Sequence, residues 1–331
     1  MSRLKVDKIE TRSGNNVSID NPLQLKVVTE SGRDALPSPQ AGDIVYNSDS
    51  GTVDFYNGTS WNATSGSTFT FNLSYVVVAG GGGGASAWNS ANRGGGGGGA
   101  GGYRSSFGSE NTGGGLTTET PLAVAFGTTL SLSIGGGGNG GSGGYFQDGT
   151  KGTDTTLGTI QSYGGGASGD GANIHDGGSG AGAAYSEGAG SGTAGQGFDG
   201  GGRNTGSSYT GGSGGGAGGA GTYGPHRNNP AVAGGAGVTS SITGSAVERA
   251  KGGGSRTGGT GAANTGNGGE GREGTSAYAG GSGVIILRWT TADATIGATR
   301  TGLVDGGVQQ AGSDSYIIFT GGSGNITFSS P

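Results

Sequence analysis

From Gly80 to Gly283 the chain is dominated by glycine. Runs occur at Gly80–Gly84, Gly94–Gly99, Gly135–Gly138, Gly200–Gly202, Gly214–Gly216 and Gly252–Gly254, and the stretch holds most of the chain's 88 Gly. Residues without side chains cannot build an ordinary apolar core, so the backbone itself must carry any fold here. Gly/Ser-rich sequence commonly forms a flexible linker. This stretch, however, is far longer than the connections found inside domains. It is also framed by strand-like runs, Tyr75-Val76-Val77-Val78 before it and Val284-Ile285-Ile286-Leu287 after it.

Collagen requires Gly at every third residue and abundant Pro; here Gly comes in blocks and the chain has 7 Pro. Two ordered forms remain. Alternations such as Gly178–Gly182 and Gly188–Gly192 fit a silk-like sheet, although pure Gly runs make poor strands. The other form is a bundle of left-handed, three-per-turn extended helices, the polyglycine counterpart of polyproline II. Such helices have no internal hydrogen bonds, so each must bond to its neighbours. That geometry predicts pure Gly runs inside, Ser/Ala-diluted runs at the rim, and bulky residues only on rims or in loops. Ordering each residue costs about 1–2 kcal/mol against a net ~1 kcal/mol per hydrogen bond. The bundle therefore needs nearly complete pairing and support from the framing apolar strands.

The remaining composition narrows the function classes. Hydrophobic residues are 29%, too few for a large conventional core, and the net charge is -5. A weakly acidic chain lacks the basic footprint of a nucleic-acid binder. With no Cys, disulfides and thiolate metal sites are excluded. The opening Met1–Lys8 is charged and has no apolar h-region, and no apolar run reaches membrane-spanning length. Neither a secretory signal nor membrane insertion is expected.

In chain order, short apolar alternations (Leu4, Val6, Ile9; Val17, Ile19; Leu23, Leu25, Val27) fill the first segment. Each is too short to bury itself, which fits either association or an extended arm. A β-meander follows: Ile44–Tyr46, Val53–Tyr56 and a strand from Trp61, with Asn57-Gly58 as a hairpin signal and Tyr46, Phe55 and Trp61 as its small core. From Phe69 the alternation Phe69, Phe71, Leu73, Tyr75, Val77 reads as a strand. Val76 and Val78 make its end apolar on both faces. Leu122–Phe126 and Leu130–Ile134 read as a hairpin turning at Gly127-Thr128, and Ser315–Phe319 with Ile326–Phe328 as another across Gly321–Gly324. The expected fold class is mostly β and irregular. It comprises an N-terminal β-rich attachment and oligomerisation segment (1–40), a small β-meander (41–66), a polyglycine II helix bundle framed by β-strands (67–289) and a C-terminal β-hairpin module (290–331).

Motifs for chemistry are sparse. Gly-x-Gly-x-x-Gly recurs by density alone, without βαβ context, and no Gly-Lys-Ser/Thr is present. Asp148, Asp154, Asp170, Asp176 and Asp199 sit in Gly-rich turns and read as turn residues. His175 and His226 are isolated loop histidines. Glu110, Glu119, Glu187 and Glu248 show no pairing suited to glycan hydrolysis. No catalytic residue, metal site or cofactor is assigned, and the protein is not expected to be an enzyme.

The bulky residues that interrupt the Gly runs are the candidates for recognition: Trp88, Asn89, Arg93, Tyr145, Phe146, Asn173, His175, Tyr185, Phe198, Arg203, Tyr209, Tyr223, His226 and Arg227. Exposed rings stack on sugars or proteins while neighbouring Arg and Asn hydrogen-bond. Tyr103, Phe107 and Tyr278 read instead as packing residues that seal the bundle.

The ordered set of segments is similar to a known family. Phe69-Thr-Phe71 leads to Tyr75-Val-Val-Val-Ala-Gly80. Gly94–Gly102 ends in Tyr103-Arg104, and Leu130-Ser-Leu-Ser-Ile134 is followed by Gly135-Gly136. The stretch closes with Gly280-Gly-Ser-Gly-Val-Ile-Ile-Leu-Arg-Trp289. Together with Gly42-Asp-Ile-Val-Tyr-Asn47 and Tyr56-Asn-Gly-Thr-Ser-Trp61, these resemble the glycine-rich tail fibres and receptor-binding adhesins of tailed bacteriophages, the marine type in particular. The resemblance implies a polyglycine helix sandwich in a virion protein. Its loops would bind a host surface glycan or outer-membrane protein. Its N-terminal segment would attach to the phage tail or another fibre protein, in a homo-oligomer, commonly a trimer. A capsid or tail decoration without a receptor role is the alternative.

Overall fold

The computed structural model describes residues 25–63, 70–87, 93–143, 147–170, 175–184, 188–203, 209–224, 231–256, 258–274 and 276–331. Two compact units are present, Met1–Phe69 and Thr70–Pro331.

In the first unit, Ile44–Asn47 pairs antiparallel with Thr52–Tyr56, and that strand with Trp61–Ala63, as the meander pattern requires. Gly58 takes φ 99°, and the Asn57 side chain accepts from the backbone N–H of Thr59 and Ser60 at 2.9 and 2.8 Å. Val27–Val28 adds a parallel edge. A short helix, Glu30–Asp34, follows, its first turn capped by Thr29; nothing in the apolar pattern announced it. The expected aromatic core is corrected. Phe55 is 39% exposed, and Tyr46 and Trp61 are half-buried, with Trp61 tilted against Tyr56 at 5.3 Å. The buried positions are Val45, Asn47 and Asp54. The strand alternation turns Asp54 inward, where it meets Arg33 Nη1 at 2.7 Å, Asn47 Nδ2 at 3.0 Å and Thr52 Oγ1 at 2.6 Å. Burial pushes this carboxyl up, but the hydrogen bonds from Thr52, Arg33 and Asn47 outweigh it, and its pKa lies below the ordinary value.

The second unit is built on a ten-stranded sheet. From one edge it runs Ile160–Ser162, Thr155–Leu157, Leu130–Ser133, Asp314–Ile326, Val284–Thr290, Thr70–Val78 and Tyr103–Ser105. Leu303–Asp305 and Gln309–Ala311 also join Asp314–Ile326, and Leu122–Ala125 joins Thr70–Val78. The two strands that frame the glycine stretch are neighbours, Val284 opposite Val78. Where they meet the glycine runs, at Tyr75–Val78 and Val284–Leu287, both are buried on both faces. Leu73, Tyr75, Val77, Ile285 and Leu287 pack with Trp289, Phe319 and Phe328 on one side. Val76, Val78, Val284 and Ile286 pack with Tyr103, Ile242 and Ala100 on the other. Burying each such aliphatic side chain stabilises by about 1.5–3 kcal/mol, which is the support the lattice needs.

Two turns differ from expectation. Leu122–Ala125 and Leu130–Ser133 do not form a hairpin, because the first pairs with Thr70–Leu73 and the second with Ser323–Ile326 and Thr156–Leu157. The hairpin expected between Ser315–Phe319 and Ile326–Phe328 is not formed; the turn lies at Gly312-Ser313, between Gln309–Ala311 and Asp314–Tyr316. Gly321–Gly324 instead continues the long strand, with Leu303 and Val304 on one side and Leu132 and Ser133 on the other.

Above the sheet the glycine runs form the expected three-fold lattice. Gly80, Gly83 and Ser86 donate to Thr153, Thr150 and Gln147. Gly81 and Gly84 donate to Gly281 and Tyr278, and Ala79, Gly82 and Ala85 donate to Gly102, Gly99 and Gly96. Every third amide thus returns to the same neighbour, and all three of these neighbours run antiparallel. The carbonyls show the same period toward three parallel neighbours. Gly80 and Gly83 accept from Gly165 and Ser168, Gly81 and Gly84 from Gly138 and Gly141, and Gly82 and Ala85 from Gly269 and Arg272. Gly80–Gly84 have no positive φ, and no bond runs within the segment. An extended three-per-turn helix with negative φ and only lateral bonds is polyglycine II.

Glycine is required here by space. A Cβ at Gly80, Gly81, Gly82 or Gly83 would overlap the carbonyl of Gly136, Asn267, Gly166 or Asn139. The rim assignment of Ser and Ala is corrected. Ala100, Ala167, Ala181, Ala183, Ala217, Ser168, Ser179 and Ser213 are fully buried inside the lattice. One methyl or hydroxymethyl fits wherever the helix turns it into a gap between neighbouring runs.

At the perimeter, where a neighbouring run is missing, side chains take the place of carbonyls. Thr153 Oγ1 and Thr150 Oγ1 accept from the amides of Gly136 and Asn139, three residues apart. Asp148, Asp154, Asp176 and Asp199 accept from Asp170, Gly164, Ser191 and Gly192. This gives the turn aspartates a definite job, satisfying amides that buried backbone cannot leave unpaired. No helix among the described residues is long and apolar enough to cross a membrane.

Candidate functional site

The lattice has two unlike ends. Near the sheet, Ala79 meets Gly102 and Gly283 meets Gly135. At the far end Ser86 and Ala87 lie beside Arg272 and Glu273, Arg93 beside Tyr209, and Ser142 beside Ser276. The runs therefore end together, away from the sheet, just where the sequence is interrupted by bulky residues.

Of the sequence candidates, Trp88, Asn89, Tyr145, Phe146, Asn173, Tyr185, His226 and Arg227 lie outside the described residues. The backbones of Arg93 and Tyr209 pair at the far end. Tyr223 is 72% exposed and stands over Gly202, one residue from the half-buried Arg203. These two are at the far end as well, since Gly224 donates to Gly202. His175 and Phe198 are elsewhere. The His175 carbonyl accepts from Ala181 halfway along the lattice, and both its ring nitrogens are shielded without a hydrogen bond. Phe198 is half-buried and lies against Gly115 near the sheet. The structure does not bring these two to the far end.

Other polar groupings serve the scaffold. A flank groove of about 660 Å³ is lined by Lys151, Asp154, Tyr163, Asp176 and Thr193, but Asp154, Asp176 and Thr193 each bond to lattice backbone, and the second Asp154 oxygen accepts from Gln161. Glu119 is held by Arg104 at 2.9 and 2.6 Å and by the Tyr75 hydroxyl at 2.7 Å. Burial, then the hydrogen bond to Glu119, drives the Tyr75 pKa well above its usual value. Glu110 Oε1 accepts from the amide and hydroxyl of Ser241, and Glu248 from Gly237. Tyr103 is fully buried, and burial pushes its hydroxyl up to about 12.

One far-end cleft is different, and no sequence candidate pointed to it. It is about 350 Å³ and is lined by Arg256, Gly258, Arg272, Glu273 and Tyr278. Arg272–Glu273 is placed by its parallel pairing with Ser86–Ala87. Arg256 is fixed by its amide, which donates to Gly271 at 3.0 Å, and adopts φ 64°, a conformation that costs a non-glycine residue about 1–2 kcal/mol. Its Nε lies 2.9 Å from Glu273 Oε1, yet that oxygen receives no hydrogen bond, so the pair is Coulombic and poorly aimed. Arg256 Nη1 and Glu270 Oε2 are likewise shielded and unpartnered. Glu270 faces the backbone of Gly259, and the Arg272 guanidinium sits 5.5 Å from the Tyr278 ring. Tyr278 was read as a sealing residue; here it forms a wall of the cleft. The signal that could have found the cleft is the one used elsewhere, charged residues interrupting a Gly run, as in Gly271-Arg-Glu-Gly274.

Among the described residues no group of His, Cys, Asp or Glu is arranged to hold a metal ion. Residues 55–290 match the family model described as a glycine-rich domain. No curated protein matches the chain.

Proposed function

Because the chain belongs to the glycine-rich domain family, a scaffold whose backbone is fixed by lateral hydrogen bonds, we propose that it is a bacteriophage tail fibre or adhesin. It binds a host surface glycan or outer-membrane protein through the far end of the lattice. The observation that carries this reading is the division of labour between the two ends. The sheet end holds the two clusters of large buried apolar side chains, whereas the runs that carry Ala87, Arg93 and Tyr209 end together at the opposite end. Loops on a rigid scaffold are where recognition residues concentrate, and the aromatic, Arg and Asn content of these segments suits contact.

In this reading the N-terminal unit joins the chain to the tail or another fibre protein, in a homo-oligomer, and the protein works in the virion without catalysis. The test is adsorption. Purified protein should bind host cells and compete with phage. Replacing residues 88–92, 204–208 and 225–230 by Gly/Ser of equal length should abolish binding without lowering the melting temperature. Unchanged adsorption in that variant would leave the protein a capsid or tail decoration with no receptor role.

A further inference from the structure

We propose that the open face of the four-stranded sheet in the first unit, formed by Val27, Ile44, Tyr46, Val53 and Phe55, is the surface on which a second copy of this chain docks. The inference deepens the homo-oligomer of the reading above and rests on that reading for its setting in the virion.

The face follows from register. Ile44 is the Cα partner of Phe55, Tyr46 of Val53, and Val27 of Tyr46. Paired residues point to the same side of a sheet, and the side alternates along each strand. These five therefore share one face. Val45, Asn47 and Asp54 share the other, where Arg33 of the Glu30–Asp34 helix reaches Asp54. The helix thus lies against one face and leaves its opposite open. On the open face Val27 is 58% exposed, Ile44 51% and Phe55 39%. These are three of the eight large apolar side chains that stand exposed among the described residues. Apolar residues exposed singly are ordinary, whereas a contiguous set marks an interaction surface.

A second copy is the occupant for three reasons. First, the unit needs cover of its own. Among its described residues Val45 is the only buried apolar side chain. A unit with so small a core depends on disulfides, a metal or association. The chain has no Cys, and no described residues are arranged to hold a metal ion, which leaves association. Second, the cover is needed as soon as the chain folds. A second copy is present wherever the chain is made, while another virion protein arrives only at assembly. Third, the five side chains carry no charge. The chain's net charge of -5 sets copies against one another elsewhere, but two such faces meet without burying an unpaired charge. They offer nothing to select a charged partner. Two sheets stack face to face about 10 Å apart, and a two-fold pair uses the same patch on both copies.

The test is sedimentation equilibrium of the full chain over a wide concentration range. The parent should associate. The double variants Ile44→Lys with Phe55→Lys, and Ile44→Glu with Phe55→Glu, should each weaken association by about tenfold or more, because like charges then face each other. Mixing the lysine variant with the glutamate variant should restore it, and a variant that merely folds badly gains nothing from the mixture. Deleting residues 1–24 should leave association in place. The proposal is overturned if the parent is monomeric, if either double variant associates like the parent, or if the mixture stays apart. It is also overturned if the deletion alone abolishes association, which would make the N-terminal segment the occupant. Cell adsorption separates this inference from the adhesin reading. A monomeric parent that still adsorbs sinks the docking face alone, whereas an associated parent that fails to adsorb sinks the adhesin reading alone.

Discussion

Val78 and Val284 are Cα partners in adjacent antiparallel strands, so the glycine stretch leaves the sheet and returns to it at one place. Both are buried, on the face that carries Tyr103 and Ala100 of the second run. The apolar sheet therefore closes the lattice like a clasp. The lattice itself supplies hydrogen bonds but little hydrophobic burial, and the sheet supplies what the lattice lacks.

Substituting alanine separates space from flexibility. Gly82→Ala would drive its Cβ into the carbonyl of Gly166, in a backbone held on all sides. Overpacking of this kind costs about 1–3 kcal/mol, and the locked neighbours place Gly82 at the upper end. At Gly136 the nearest atom to an added Cβ is Thr153 Oγ1, 3.9 Å away. Gly136→Ala should therefore be neutral or stabilise by about 0.4–1 kcal/mol, through the unfolded chain. Thermal unfolding of the two variants checks the contrast.

Acid should weaken both units. Asp54 is held low against its burial by Thr52, Arg33 and Asn47. Asp305 is held low chiefly by Arg300, whose Nε and Nη2 lie 3.0 and 3.2 Å from its oxygens. Both folded pKa values are depressed, so their contribution is complete above the unfolded value of about 3.9 and is lost as pH falls through the folded values. Urea unfolding should show a parent advantage of about 1–3 kcal/mol over Asp54→Asn at neutral pH, vanishing in acid. For Asp54 the indole signal of Trp61 reports on the correct unit.

Arg249 is a liability of the fold. It is buried, its Nε and Nη1 have no partner, and burial drives its pKa down. Replacing an uncompensated buried cation by an apolar side chain of similar length removes that penalty. Arg249→Met should raise stability by about 1–3 kcal/mol, read from chemical denaturation. A loss of stability would show that the guanidinium contributes more than its geometry indicates.

Much of this architecture is legible in the sequence. The framing strands announce themselves through Val76–Val78 and Val284–Leu287, and the period of the lattice follows from what polyglycine can do. Pairing partners are less legible. Leu122–Ala125 and Leu130–Ser133 sit one short turn apart, yet each finds its partner across a large sequence gap, which local pattern does not encode. The buried Asp54 was hidden because polar residues read as surface until Arg33, on a helix too short to show periodicity, supplies the counter-charge. The cleft at Arg256 was missed for a related reason. Its residues come from three separate runs, brought together by lattice bonds from Arg256 to Gly271, Glu270 to Gly259 and Tyr278 to Glu270.

The most direct measurement is native-state hydrogen exchange over residues 79–86, compared with Thr70–Val78. Glycine amides have no side chains to shield them, so slow exchange there requires the lateral bonds to Thr153, Gly281 and Gly102 and their equivalents. Protection of Gly80–Gly84 as long-lived as that of Val76–Val78 is the result this account predicts. Exchange at free-peptide rates in the glycine run, with the strand still protected, would contradict it.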